Sequence, residues 1–311
     1  MRDGEEISNI KVCPKISVIV PAYNPEGFVR EAVLSVLKQT YLPFEVIVIS
    51  DTHIQGLESM VSSDHYRLVK HVQWPKQAVA KIYNLGIELA KGSWIAFLDG
   101  DDVWHPRKIE KQVKLLSPET GFIFCNKWFF DENIHSPIAL DRYRPEYREE
   151  PLASLLKSFF ASPSTVMIKK NVFEEVGIFK EDFTSSADYD LWIRIAGANK
   201  YRFDFVDEPL VYKRKVRESI TSTQPSKEWV DDLMEALISN RQIFIANLNI
   251  SKRDFEVFVG RSYGYLARKF ARERDFSAVV HCLSKVSERS TIASWHCALR
   301  FFWKYTDTPY Y

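Results

Sequence analysis

Three short apolar runs, separated by segments of helical period, constrain this chain more than any other feature. Lys15-Ile-Ser-Val-Ile-Val-Pro21, Phe44-Glu-Val-Ile-Val-Ile49 and Trp94-Ile-Ala-Phe-Leu98 are nearly continuous in hydrophobicity, as strands buried on both faces are. Between the first two, Val29, Ala32, Val33, Val36 and Leu37 recur at i, i+3, i+4, i+7 and i+8, the stripe of a helix laid on a sheet. Between the second and third, Val79, Ile82, Tyr83, Gly86, Ile87 and Ala90 repeat that period, and Gly92 is expected to stop the helix in a left-handed turn. Strands alternating with helices predict an α/β fold, a doubly wound and mostly parallel sheet covered on both faces. Ligands of such sheets sit outside the carboxyl ends of the strands. Three loops leave those ends here: Tyr23-Asn24, Ser50-Asp51 and Asp99 to Asp102.

The pattern weakens between Phe130 and Pro163, where charges and prolines suggest a surface loop over the site. Ser164-Thr-Val-Met-Ile168 reads as a strand, and Asn171 as the cap of a short helix closed by Gly177. Asp188 to Ala196 reads as a helix, and Lys200 to Val206 and Leu210 to Tyr212 as two strands. After about Pro225 strand signals stop. Val230, Leu233, Met234, Leu237 and Ile238 form one helical face, and Phe255, Phe258 and Val259 begin another. The expected division is a tail over 1–14, an α/β domain over 15–224 with halves 15–104 and 105–224, and an α-helical C-terminal region over 225–311. Packing on the α/β domain, a homodimer contact, or docking at a membrane surface through Trp295, Arg300, Phe301, Phe302, Trp303 and Lys304 would each account for the helices.

Charge excludes one class of partner. Lys plus Arg number 42 and Asp plus Glu 41, so bulk charge offers nothing to a nucleic acid. No apolar run is long enough to cross a bilayer, and Met1 to Lys15 has no signal-peptide core. The four cysteines are scattered, as in a reduced cytoplasmic protein; the expected place is the cytoplasm, with the inner face of the membrane open through the C-terminal stretch.

Asp99, Asp101 and Asp102 follow directly on a buried strand. Like charges this close raise one another's pKa, and a fold gains by gathering them only if a cation neutralises them. Carboxylates at a strand end suit Mg²⁺ or Mn²⁺ bridging to a diphosphate. The plainer reading is an Asp-Gly turn with Asp102 capping a helix over Pro106 to Leu116.

The order of these phrases adds what no single one carries. Ile16-Ser-Val-Ile-Val-Pro-Ala-Tyr-Asn24, Ser35-Val-Leu-Lys-Gln-Thr40, Phe44 to Asp51, Asn84 to Gly92 and Phe97-Leu-Asp-Gly-Asp-Asp-Val-Trp104 occur in sequence. Ser164 to Ile168, Glu175-Val-Gly-Ile-Phe179 and Ala187-Asp-Tyr-Asp-Leu-Trp-Ile-Arg194 continue the series. Together they resemble the family-two inverting glycosyltransferases of GT-A fold, over about residues 15 to 222. The resemblance implies a hexosyl- or N-acetylhexosaminyltransferase that moves a sugar from a nucleotide-diphosphate donor, UDP first among them, to a hydroxyl of a glycan or lipid-linked acceptor. Surface polysaccharide or glycan synthesis is the expected setting, with Mg²⁺ or Mn²⁺ as cofactor.

By position, the resemblance implies that Pro21, Ala22 and Tyr23 line the nucleotide pocket and that Asp51 hydrogen-bonds the base. Asp99 and Gly100 would hold the donor, and Asp101 and Asp102 the metal. Asp188 matches the catalytic base, with helix capping as its plainer role; Asp190 ranks second. A single displacement needs one such base and inverts the anomeric centre. The departures are Ser50 for a second aspartate, Ala187 for a glutamate, and Tyr83 where many members have arginine, with Lys81 or Lys76 left to supply that charge. Lys213-Arg-Lys-Val-Arg217 lacks the histidine that completes the metal site in many members, and its basic residues could clamp the diphosphate instead. A sugar-nucleotidyltransferase is disfavoured because the loop after the first strand, Pro-Ala-Tyr-Asn-Pro-Glu, is neither Gly-rich nor basic. An inactive scaffold or sugar-nucleotide-binding protein is the alternative from another class.

Overall fold

The structure, a computed structural model, describes residues 13–22, 28–54, 57, 68–131, 133–144, 146–157, 160–215 and 227–289. In chain order the elements of the first half are β1 (Ile16–Ala22), α1 (Phe28–Leu37), β2 (Glu45–Ser50), β3 (Val69–Gln73), α2 (Val79–Leu89), β4 (Trp94–Phe97), β5 (Val103–Trp104) and α3 (Lys108–Val113). There follow β6 (Thr120–Phe130), β7 (Ala139–Asp141), α4 (Glu146–Glu149), α5 (Pro151–Lys157), β8 (Met167–Lys169), α6 (Lys170–Val176), α7 (Ala187–Gly197) and β9 (Arg202–Arg214). Four helices close the described chain: α8 (Lys227–Ser239), α9 (Arg241–Leu248), α10 (Lys252–Arg272) and α11 (Phe276–Arg289).

The sheet runs β3-β2-β1-β4-β8-β6-β9-β5, with β7 on β6. Its first four strands are parallel, with Ser17 to Ala22 opposite Glu45 to Ser50 and Ile16 to Ile19 opposite Trp94 to Phe97. The chain winds outward from β1 to β3 and returns to the other side of β1 at β4. A crevice therefore opens at the carboxyl ends of β1 and β4. Beyond β4 the sheet is mixed, because β8 pairs antiparallel with both β4 and β6 while β9 runs parallel to β6.

Side-chain alternation sorts β1 between two cores. Ile16, Val18 and Val20 pack with Val29, Ala32, Val33 and Val36 of α1. Ile19 packs with Ile82 and Ile87 of α2 in a core that continues through α5 and α7 to α8, α9 and α10. Gln39 fastens the end of α1. Its Nε2 donates to the Ser35 and His105 carbonyls at 3.1 and 2.8 Å, and its Oε1 accepts from the Ile109 N–H at 3.0 Å.

Several expectations change. Gly92 is not left-handed; α2 ends at Leu89 with an extended Ala90. A Cβ on Gly92 would lie 2.7 Å from the Lys15 carbonyl, so close backbone approach is what requires glycine there. Asn171 is no cap: β8 passes straight into α6, and extended Lys169 takes the N-cap position. Pro163–Thr165 forms a 3₁₀ turn, so the strand read from Ser164 starts at Met167. Part of the expected loop over 131–163 is ordered as β7, α4 and α5, held by Leu152, Leu155, Leu156 and Phe160 in the core. The two strands around 200–212 are one, β9, whose pairing with β6 shifts register near Pro209. β3 and α9 are additions. Among the described residues no helix is long and apolar enough to cross a membrane, and Cys13, Cys125 and Cys282 are free thiols. Tyr23, Val216 to Arg217 and the aromatic-basic stretch from Trp295 lie outside the described residues.

Candidate active site

The end of β1, the acidic turn after β4 and the end of β9 meet at the crevice. Pro21 and Ala22 end β1, both buried. Gly100 turns beneath them so closely that a Cβ there would stand 2.6 Å from the Pro21 carbonyl oxygen. A side chain at 100 would push the acidic turn off the end of β1. β9 then crosses the turn from the other half: Val103 and Trp104 pair with Tyr212 and Val211, which carries Lys213 and Arg214 over it.

The carboxylate oxygens of Asp99, Asp101 and Asp102 lie within 4.8 Å of one another. Their surroundings differ. Asp99 Oδ1 accepts a hydrogen bond from the Tyr83 hydroxyl of α2, and Oδ2 lies 3.4 Å from Lys213 Nζ. Asp102 is fully buried. Its Oδ2 accepts from Ser164 Oγ at 2.6 Å and its Oδ1 from the Arg214 N–H at 3.1 Å, with Lys213 Nζ at 3.7 Å. It does not cap a helix; α3 begins at Lys108 after Arg107. The Asp101 carboxylate makes no hydrogen bond or ion pair with another described side chain. Burial raises the Asp101 and Asp102 carboxyls, their mutual charges and Asp99 add to this, and Lys213 opposes it. Burial favours a neutral amine at Lys213, but Asp102, Asp99 and Asp101 hold it protonated, well above its ordinary value.

Asp188 lies in the first turn of α7 and faces the same charges. Its Oδ1 accepts the Tyr189 N–H at 2.9 Å. Burial pushes its carboxyl up to about 7, helped by Asp99 and opposed by the Tyr189 N–H and Lys213. Asp190, two residues on, is fully buried and bound by Lys180 Nζ at 2.7 Å, Arg194 Nε at 2.8 Å and Asn240 Nδ2 at 2.7 Å. With both oxygens engaged, it joins α7 to the segment before it and to the α8–α9 junction.

At the end of β2, Asp51 Oδ1 is buried with no hydrogen-bond partner among the described residues. An acceptor withdrawn from water and left unpaired suits an incoming N–H donor. Ser50 donates from Oγ to the Thr52 carbonyl at 2.5 Å and meets His71 Nε2 of β3 at 2.7 Å. Lys81 is exposed on the outer face of α2, in a groove with Trp74, Gln77, Glu88 and Glu181, and no described contact joins it to the acidic turn.

Sequence reading passed over Ser164, His71 and the part played by Tyr83. Tyr83 stood out only as a missing arginine, and its hydroxyl is what orients Asp99. Ser164 binds the Asp99 N–H at 3.1 Å and Asp102 together, and the 3₁₀ turn that places it has no strong sequence sign. Nothing in the sequence marks His71.

Known proteins resemble the chain in sequence and in fold. The profile of Glycosyl transferase family 2 matches residues 17–177. An uncharacterized glycosyltransferase of Rickettsia prowazekii (strain Madrid E) is 30% identical over 216 residues, 68% of this chain and 67% of that protein. The structure of S. aureus TarS 1-349 in complex with UDP-GlcNAc matches with a TM-score of 0.60 at 19% identity, covering 93% of this chain and 80% of that one. The mannosyltransferase PcManGT from Pyrobaculum calidifontis, in complex with GDP-Man and Mn²⁺, matches with a TM-score of 0.57 at 17% identity, covering 94% and 82%. At such identities the likeness is one of fold, and it bears out the GT-A architecture.

Proposed function

The chain belongs to glycosyl transferase family 2, and on that premise we propose that it moves a sugar from a nucleoside-diphosphate donor to an acceptor hydroxyl with inversion at the anomeric carbon. The observation that carries this reading is one carboxylate, Asp188, held near pKa 7 beside an acidic turn at the strand ends. A base at that value is half ionised at neutral pH and strong enough to take the proton of an attacking hydroxyl.

In this reading Asp51 accepts a base N–H, and the N3–H of uracil is the expected one. Asp99, fixed by Tyr83 and the Ser164 contact to its N–H, receives the donor's ribose. Asp188 accepts the acceptor's proton as the oxygen bonds to the anomeric carbon and the bond to the diphosphate breaks on the opposite face. The acceptor is a glycan or lipid-linked glycan.

The residues fit a divalent cation. Asp101 offers a carboxylate with no ion pair among the described residues, and Mg²⁺ or Mn²⁺ needs only one or two carboxylates besides phosphate oxygens and water. Asp101 would hold it, with Asp102 setting the turn behind. Bound there, the ion supplies positive charge to the departing diphosphate.

The test is turnover of a panel of UDP- and GDP-sugars with Mn²⁺, read as released diphosphate, for the full chain and for Asp188→Asn. Release that disappears in the variant supports the assignment. Equal release from both would remove Asp188 as the base.

A further inference from the structure

We propose that Lys213 is a resident cation of the donor site: its ammonium, seated between Asp99 and Asp102, receives the donor's diphosphate, so that nucleotide binding persists when divalent metal is removed. This rests on the donor-site reading above and concerns how that site meets its charge.

The placement is a consequence of strand register. The pairing of Val103 with Tyr212 sets residue 213 over the acidic turn, and Arg214 is fully engaged beside it. The Arg214 guanidinium donates from Nε to the Asp101 carbonyl at 3.1 Å, pairs with Glu31, and lies 4.4 Å from the ring centres of Phe28 and Phe130. It is locked in structure. Lys213 is not. Its contacts, 3.4 Å to Asp99 and 3.7 Å to Asp102, are longer than a tight charged hydrogen bond, and its side chain keeps 18% of its exposure. An ammonium has three N–H donors, and two loose carboxylate contacts leave one for a phosphate oxygen. Tyr83, Ser164 and the Arg214 N–H fix the flanking carboxylates, so the cation is positioned before any ligand arrives.

The chemistry differs from that of an imidazole at this position. A neutral histidine brings no charge, and meets a diphosphate with at most one N–H donor or through a bound metal. An ammonium brings its own charge. Metal at Asp101 then adds to a positive charge already in place.

The experiment is calorimetric titration of the full chain with UDP, GDP, CDP and dTDP, first in EDTA and then in Mn²⁺. Lys213→Met, Lys213→His and Lys213→Arg are titrated in parallel, with circular dichroism to verify folding. Wild type is expected to bind one nucleotide with affinities within about threefold in the two buffers. Lys213→Met and Lys213→His are expected to lose at least about tenfold in EDTA and to recover most of it with Mn²⁺, while Lys213→Arg keeps metal-free binding. Wild type that binds only with Mn²⁺ overturns the proposal and leaves the donor site standing. A folded Lys213→Met that binds in EDTA as wild type does also overturns it. Should Lys213→Met fail to fold, wild type in EDTA and Lys213→Arg decide the matter. No binding of any nucleotide in either buffer overturns the donor site itself.

Discussion

Two carboxylates two residues apart, Asp188 and Asp190, separate chemistry from architecture. Asp188 is the base of the proposed reaction, and burial raises its carboxyl to about 7. The ionised form is the one that accepts a proton. Transfer should therefore climb as pH rises through about 7 and level off above it, and a kcat profile flat from pH 5 to 8 would contradict this. Asp188→Asn preserves shape but removes the base. Its kcat should fall by roughly 10²–10⁴, the ordinary contribution of a general base, while calorimetric affinity for the nucleotide stays within about twofold. Gly100 acts through space alone. Gly100→Ala sets a methyl 2.6 Å from the Pro21 carbonyl oxygen. The turn must move, at a cost of about 1–3 kcal/mol in urea unfolding. Nucleotide affinity should drop with it, and wild-type affinity in this variant would mean that the turn is not held by its approach to β1.

Among elements, Asp190 is where α7 meets its neighbours. Lys180 precedes the helix, Arg194 lies one turn on, and Asn240 stands between α8 and α9. Asp190→Ala leaves Arg194 and an amide without their acceptor around an emptied site, while half-exposed Lys180 turns to water; breaking a fully buried pair costs about 3–5 kcal/mol, and the cost here lies toward or below the lower end. A large fall in the urea midpoint is expected, with transfer retained by the fraction still folded; loss of transfer without loss of stability would make Asp190 part of the chemistry. The elements differ in how plainly the sequence announces them. β1, β2 and β4 are buried on both faces and read as continuous apolar runs; α1 and α2 carry wide stripes. β3, Val-Lys-His-Val-Gln, is a half-exposed edge strand with no such run. β9 is interrupted to the eye by Asp207-Glu-Pro209, yet bulges carry the strand through. At the candidate site, the resemblance singled out Asp99, Asp101 and Asp188, and the structure brings Asp99 and Asp101 together. The basic stretch from Lys213 was legible as a candidate diphosphate clamp; the placement of Ser164 by a 3₁₀ turn and of Lys213 by the register of β5 on β9 was not, because tertiary contacts set both.

For the whole molecule the C-terminal helices are part of the interior. Val230, Met234, Phe244, Phe255, Val259, Tyr263, Leu266 and Phe270 lie in the same core as Leu155, Phe160 and Trp192 of the α/β part. Each such side chain contributes roughly 1.5–3 kcal/mol when buried, so exposing several together is a large loss for a marginally stable domain. The Asp190 to Asn240 hydrogen bond crosses the same seam. A chain ending at residue 224 would expose the apolar faces of α5 and α7 and leave Asp190 without its amide. It should be insoluble or lack a cooperative transition, whereas the full chain should unfold in urea as one transition by both fluorescence and circular dichroism. If residues 1–224 instead folded with native circular dichroism and bound nucleotide as the full chain does, the helices would be an appended module. α7, which carries the proposed base, packs against α8 and α9, and removing them should disturb Asp188 before it disturbs the ends of β1 and β2.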